Sequence, residues 1–124
     1  MQRSQRLRTD AQFQRVRAAG RSWSHRLLVL AAALGASPGG PSRVGITAGK
    51  RVGGAVVRNR ARRRVSEIVR IRYARLAPGW DLVFIVRQPA ADASFDGLAG
   101  AVDDLLGRAG VLRTEASCTG SRSA

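Results

Sequence analysis

The densest chemistry in the chain lies between residues 58 and 64, where Arg58, Arg60, Arg62, Arg63 and Arg64 place five guanidiniums within seven positions. A guanidinium is planar, permanently charged and able to grip a phosphate through two parallel hydrogen bonds. On a helix, such neighbours repel one another at i, i+3 and i, i+4 spacing. The acid available nearby is Glu67. At about 100° per residue, Asn59, Arg62, Arg63, Ser66 and Arg70 gather opposite Val57, Ala61 and Val65. One face should therefore be buried, and the other should be a cationic stripe carrying one amide. A solvated surface face would need acids to compensate it. Phosphate is the natural counter-charge here.

The segment before this stripe, Gly45-Ile-Thr-Ala-Gly49-Lys50-Arg51, looks like a nucleotide-binding loop and fails as one. Its spacing is one residue short, and Arg51 stands where Ser or Thr must hold magnesium. No dinucleotide fingerprint fits either, so no nucleotide cofactor is expected. The better reading is a glycine-rich turn, Gly49 to Gly54, whose backbone N–H groups and following helix start face a nucleic-acid phosphate. Other constellations are poor. His25 and Cys118 are the one histidine and the one cysteine, which argues against triads, disulfide frameworks and multi-cysteine zinc sites. Asp81, Asp92, Asp96 and the pair Asp103-Asp104 are scattered, which argues against a protein-borne two-metal nuclease. Trp23 and Trp80 read as packing rather than base stacking.

The elements that must position the stripe follow from periodicity. The 124 residues carry a formal net charge of +14, with 21 Arg and one Lys. Residues 1–75 balance to +16 and residues 76–124 to −2, a surplus that a polyanion would neutralise. The longest apolar run, Leu27 to Leu34, has eight residues, too short to span a bilayer. No membrane partner is expected, and a cytoplasmic location is. Thr9-Asp10-Ala11-Gln12 has capping-box form and predicts a helix ending at Gly20. Residues 21–34 read as strand with a turn near Ser24-His25. Arg43–Ala48 reads as a strand pairing antiparallel with the run from Leu27. A long helix over 55–76 should bury Val57, Ala61, Val65, Ile68 and Ile71. Residues 80–86 read as a strong strand. Ser94 should cap a last helix that buries Phe95, Leu98, Ala101, Val102, Leu105 and Leu106 and ends between Gly107 and Gly110. The sum is an α+β chain, α-β-β-β-α-β-α in order, with one domain over 1–113 and a disordered tail over 114–124.

The stretch from Gly45 through Lys50-Arg51, Gly53-Gly-Ala55 and Arg58-Asn59-Arg60-Ala-Arg62-Arg63 closely resembles the signature of the protein subunit of bacterial ribonuclease P. The likeness extends to Leu7 through Gly20 and to Asp81 through Pro89, covering roughly residues 5–112. That resemblance implies a two-layer sandwich with a mixed four-stranded sheet and a left-handed β-α-β crossover, like ribosomal protein S5 domain 2. It implies an RNA-binding subunit that breaks no bonds itself. The partner RNA, with Mg2+ held mainly by that RNA and the interface, would remove the 5′ leader of precursor tRNA. Lys50, Arg51, Arg58, Asn59, Arg60, Arg62, Arg63 and Arg70 would then meet the RNA subunit. Phe13, Arg17, Val29 and Ala31 would meet the leader. Many family members have aromatics at the positions of Arg17 and Ala31, so leader binding here should rest more on charge. The runner-up is a structural RNA-binding protein of the ribosome. An independent nuclease and a DNA-binding protein are the further alternatives.

Overall fold

The computed structural model describes residues 5–7, 9–35 and 39–112; the expected tail over 114–124, with Cys118, lies outside the described residues. Helix α1 (Asp10–Ala19) begins as its sequence dictates. Thr9 Oγ1 accepts the Gln12 N–H at 3.2 Å, and Gln12 Oε1 accepts the Thr9 N–H at 3.1 Å, so two orphan donors are satisfied reciprocally. Strand β1 (Arg21–Ser24) turns at His25 into β2 (Leu28–Leu34). His25 Nδ1 accepts the Leu27 N–H at 3.0 Å, which fixes that turn. Then come β3 (Arg43–Ala48), a 3-10 turn at Lys50–Val52, α2 (Ala55–Arg72), β4 (Trp80–Val86) and α3 (Phe95–Ala109). Ser94 caps α3 by accepting the Gly97 N–H at 2.9 Å. Gly110 ends it in the left-handed region at φ 70, where a glycine carries no Cβ penalty.

The sheet order is β1-β2-β4-β3. Strands β1 and β2, and β2 and β4, are antiparallel, while β3 and β4 are parallel. This corrects the expected antiparallel pairing of Arg43–Ala48 with the run from Leu27, because β4 inserts between them. The reason lies in burial. Strand β4 is apolar on both faces, with Leu82, Val83, Phe84 and Val86 all buried, and a strand of that kind belongs in the centre. Strand β3 carries Gly45 and Thr47 and takes the edge.

The β3–α2–β4 connection is left-handed. Val44 turns its side chain into the core shared with α2. Its carbonyl points away from β4 and accepts the Leu7 N–H at 3.0 Å. For an L-residue in a strand running upward, with its side chain toward the viewer, its own N–H and C=O point right. Strand β4 therefore lies to the left, and a helix crossing in front while the chain moves left is a left-handed crossover, against the usual preference.

Two apolar clusters flank the sheet. Leu28, Leu30, Leu82, Phe84 and Val86 pack under α2 and α3, with Trp23 and Trp80 packed at the margin of that cluster as expected. On the opposite face, Leu7, Val16, Ala31, Ala33 and Val83 form a smaller cluster joined by Phe13 and Ile85. Helix α1 lies on this second face and has one fully buried side chain, Val16.

Three apolar positions expected in the core are exposed: Val57 at 38%, Ile71 at 59% and Phe95 at 43%. In α2 the buried set is Ala61, Val65, Ile68 and Val69. Eighteen helical residues rise about 27 Å, roughly 7 Å more than a six-residue strand. The first turn of α2 therefore overhangs the sheet with Val57, while Ile71 lies about 100° round the helix from the centre of the buried set and faces solvent. Phe95 is the first residue of α3 and lies in its exposed first turn.

Helices α2 and α3 are also joined by charge. Arg72 Nε donates to Asp103 Oδ1 at 2.5 Å and Arg72 Nη2 to Oδ2 at 3.1 Å. That hydrogen bonding, helped by the charges of Arg72 and Arg75 and opposed by burial, holds the Asp103 carboxyl below its ordinary value of 3.8. A depressed carboxylate contributes stability above its ordinary value and loses it as pH falls through the folded one. Asp103 is about half exposed, so Asp103→Asn should cost about 0.5–1 kcal/mol at neutral pH. In urea unfolding, the variant and parent should converge as the pH falls below 3.8.

Candidate RNA interface

The edge strand β3 brings together what the sequence left apart. Helix α1 lies on one face of the sheet, over β2 and β4, and α2 lies on the other, and side chains of both reach the β3 edge. Between them runs a groove made of two adjoining hollows that share Phe13, Ile46 and Arg62. The first, about 420 Å3, is lined by Arg6, Leu7, Phe13, Val44, Gly45, Ile46, Asn59, Arg62, Arg63 and Ser66. The second, about 380 Å3, adds Asp10, Gln14, Arg17 and Thr47. The floor is apolar and the rim is guanidinium, an arrangement that stacks bases and pairs phosphates.

Phe13 reaches the strand because Gly45 lets it. A methyl group on Gly45 would lie 2.5 Å from the Phe13 Cζ, so the ring rests directly on the strand backbone. Arg17, one turn further along α1, is exposed beside Thr47 and Arg62. Val29 is partly exposed on the same face of the sheet. The register aligns it with Ile85 and Ile85 with Thr47, so a row Val29–Ile85–Thr47 runs across the sheet next to the row that α1 covers. Ala31 is different. It is 1% exposed and packs in the cluster with Val16, so it does not reach the cleft surface. An alanine there lets α1 sit close to the sheet.

The α2 residues divide by position. Asn59, Arg62, Arg63 and Ser66 line the groove, and Arg62 donates to Asn59 Oδ1, which holds the two as a unit. Arg58 is half-buried, and its Nε has no hydrogen-bond partner among the described residues. Arg60 lies on another side of the helix, in a hollow with Val52, Val56, Arg64 and Asp92. Lys50 and Arg51 are exposed in the 3-10 turn. Beyond that turn, Gly53 adopts φ 149 and Gly54 caps α2 without a side-chain hydrogen bond, so the first-turn N–H groups have no capping side chain. Arg70 is paired with Glu67 at 2.6 Å, which raises its affinity for its proton and lowers that of Glu67. Two further arginines of α2 serve structure instead. Arg64 donates to the Ala93 carbonyl at 2.6 Å, and Arg72 is held by Asp103.

Arg6, Ile46, Thr47, Ile85 and Gln14 were not singled out from sequence. Their place depends on strand register and on which helix flank faces β3, and neither is written in local periodicity. Among the described residues, no three His, Cys, Asp or Glu come together as a metal cage, and no helix is long and apolar enough to cross a membrane.

The chain is similar to known proteins along almost its whole length. The profile of the ribonuclease P family matches residues 1–110. A ribonuclease P protein component from Roseiflexus castenholzii is 52% identical over 120 residues, covering 96% of this chain and 97% of that protein. The one from Herpetosiphon aurantiacus is 48% identical over 111 residues, covering 88% and 87%. Among solved structures, the Staphylococcus aureus RNase P protein superposes with a TM-score of 0.80 at 27% identity, covering 90% of this chain and 100% of that one. The Thermotoga maritima RNase P protein gives 0.74 at 27% identity, covering 83% and 96%. The guanidinium-rimmed groove, the sheet order and these likenesses agree, and they decide against the ribosomal alternative: the chain belongs to the ribonuclease P protein family, the protein component of the ribonucleoprotein endonuclease that processes the 5′ end of tRNA.

Proposed function

We propose that the protein lays the first half of α2 and the turn before it against the ribonuclease P RNA and holds the 5′ leader of precursor tRNA across the α1 side of the sheet. Lys50, Arg51, Arg58, Asn59, Arg60, Arg62 and Arg63 meet RNA-subunit phosphates, and Arg70 joins them by leaving Glu67. Phe13, Arg17 and Val29 meet the leader, with Thr47 and Ile85 completing the floor. The observation that carries this reading is the convergence of α1 and α2 on one strand edge, cationic on the rim and apolar below. With Arg17 in the cleft, the leader is held by a guanidinium against phosphate or base as much as by ring stacking.

Among the described residues no carboxylates form a cage for an ion; Mg2+ is held mainly by the RNA and the interface. The protein's part is electrostatic. Its guanidiniums screen phosphate repulsion, so the folded RNA and its substrate come together at lower ion concentration. The reaction takes place in the cytoplasm, where precursor tRNA is made. Cleavage of precursor tRNA by the cognate RNA alone and with the protein, across magnesium concentrations, tests this. The protein should lower both the magnesium requirement and the KM. A protein that changes neither has no such role.

A further inference from the structure

We propose that the buried carboxylate of Asp81, gripped by Arg15 and Arg43, is a positioning device for the leader cleft. It holds α1 at the height from which Phe13 and Arg17 reach their ligand. This inference rests on the proposed leader contact and adds residues that touch neither leader nor RNA subunit.

Asp81 stands at the start of β4 with its side chain 2% exposed. Arg43, across the parallel pair on β3, donates Nε to Oδ1 at 3.0 Å and Nη2 to Oδ2 at 2.9 Å. Arg15 of α1 donates to Oδ2 from above and also reaches the Leu34 carbonyl at 3.5 Å. One carboxylate thus ties α1 to both β4 and β3. A charge this deep is retained when it is paired, and it fixes one arrangement of its partners.

Helix α1 needs such a tie. It is ten residues long with one fully buried side chain, so apolar packing alone constrains it weakly. Arg15 and Phe13 are two residues apart, roughly 200° around the helix. The clamp therefore grips one flank, Val16 packs between, and the other flank forms the cleft wall. Releasing the clamp frees α1 to roll, and the Phe13 ring leaves the Gly45 backbone.

The sign of one substitution separates positioning from direct charge attraction. Asp81→Asn raises the net charge by one, so a cleft working by charge alone would hold a leader slightly tighter. Loss of positioning loosens it. In reconstituted holoenzyme, Asp81→Asn should weaken binding of a long-leader precursor tRNA at least about fivefold. Binding of a substrate with a one-nucleotide leader, and affinity for the RNA subunit, should stay within about twofold. Arg15→Gln leaves the Arg43–Asp81 pair intact and should show the same leader-dependent loss, even if Asp81→Asn folds poorly. Because Arg15→Gln also lowers the net charge by one, Arg15→Lys, which keeps the charge but not the planar fork, is the control: it should restore only part of the binding, where charge attraction alone would restore all of it. Equal losses for long and short leaders, or no loss in Arg15→Gln, overturn the positioning role. The double variant Phe13→Ala with Arg17→Ala separates the two readings: if it too shows no leader-dependent loss, the leader contact itself is wrong, and if it does while Arg15→Gln does not, the clamp alone is wrong.

Discussion

Replacing Asn59 and Arg62 together by alanine should weaken binding to the ribonuclease P RNA by about 2–3 kcal/mol, roughly 30- to 150-fold. The two side chains face the same groove and are bonded to each other, so removing one also disturbs the other, and their effects should not add. The salt dependence carries the sharper information. Loss of one guanidinium from a phosphate contact should flatten the slope of log affinity against log salt by about one. Arg72→Ala supplies the control. It removes the same charge from the same helix, but Arg72 is committed to Asp103, so the slope should hardly change while stability falls. Titrations of labelled RNA at several salt concentrations would measure this. Indistinguishable slopes for the two variants would remove the claim that position, rather than total charge, sets affinity.

Phe84→Ala should cost about 3–5 kcal/mol, the usual range for emptying a fully buried aromatic site. Phe84 is the largest fully buried side chain and sits in the middle of β4. Its neighbours across the sheet are Leu30 on β2 and Ile46 on β3. A domain of this size has a total stability of about 5–15 kcal/mol, so the free variant should be partly unfolded in mild urea. RNA bound to the native form should move the midpoint back upward by mass action. Urea curves with and without the RNA subunit test both parts. A midpoint that RNA leaves unmoved would mean that the groove does not need the native sheet.

Local order in the sequence made much of this legible. Thr9 and Gln12 announce the start of α1, Ser94 and Gly110 bound α3, and the two-sided apolar run of β4 is plain. The cationic face of α2 is equally plain, because periodicity sorts Ala61 and Val65 from Arg62 and Arg63 without help from the rest of the fold. What could not be read depends on distance along the chain. The insertion of β4 between β2 and β3 is set by which strand most needs two covered faces, a competition among strands rather than a property of one. Val57 misled for a related reason: periodicity assigns a side of the helix but says nothing about where the sheet beneath it stops, and Ile71 sits about 100° from the centre of the face that packs. Asp81 looked like one of several scattered acids. Arg15 and Arg43, which give it meaning, lie 66 and 38 residues away.

The outer margin of β3 is paired in its lower part, through Val44 and the residues 6–7. Further along, Arg17 and Arg62 flank the strand at Ile46 and Thr47. An unpaired strand margin is where like molecules add to one another and precipitate. Here a second copy arriving edge-on would bring guanidiniums against guanidiniums, so the groups that suit a nucleic acid also oppose edge-to-edge pairing. A substitution that neutralises Arg17 or Arg62 would therefore change both at once.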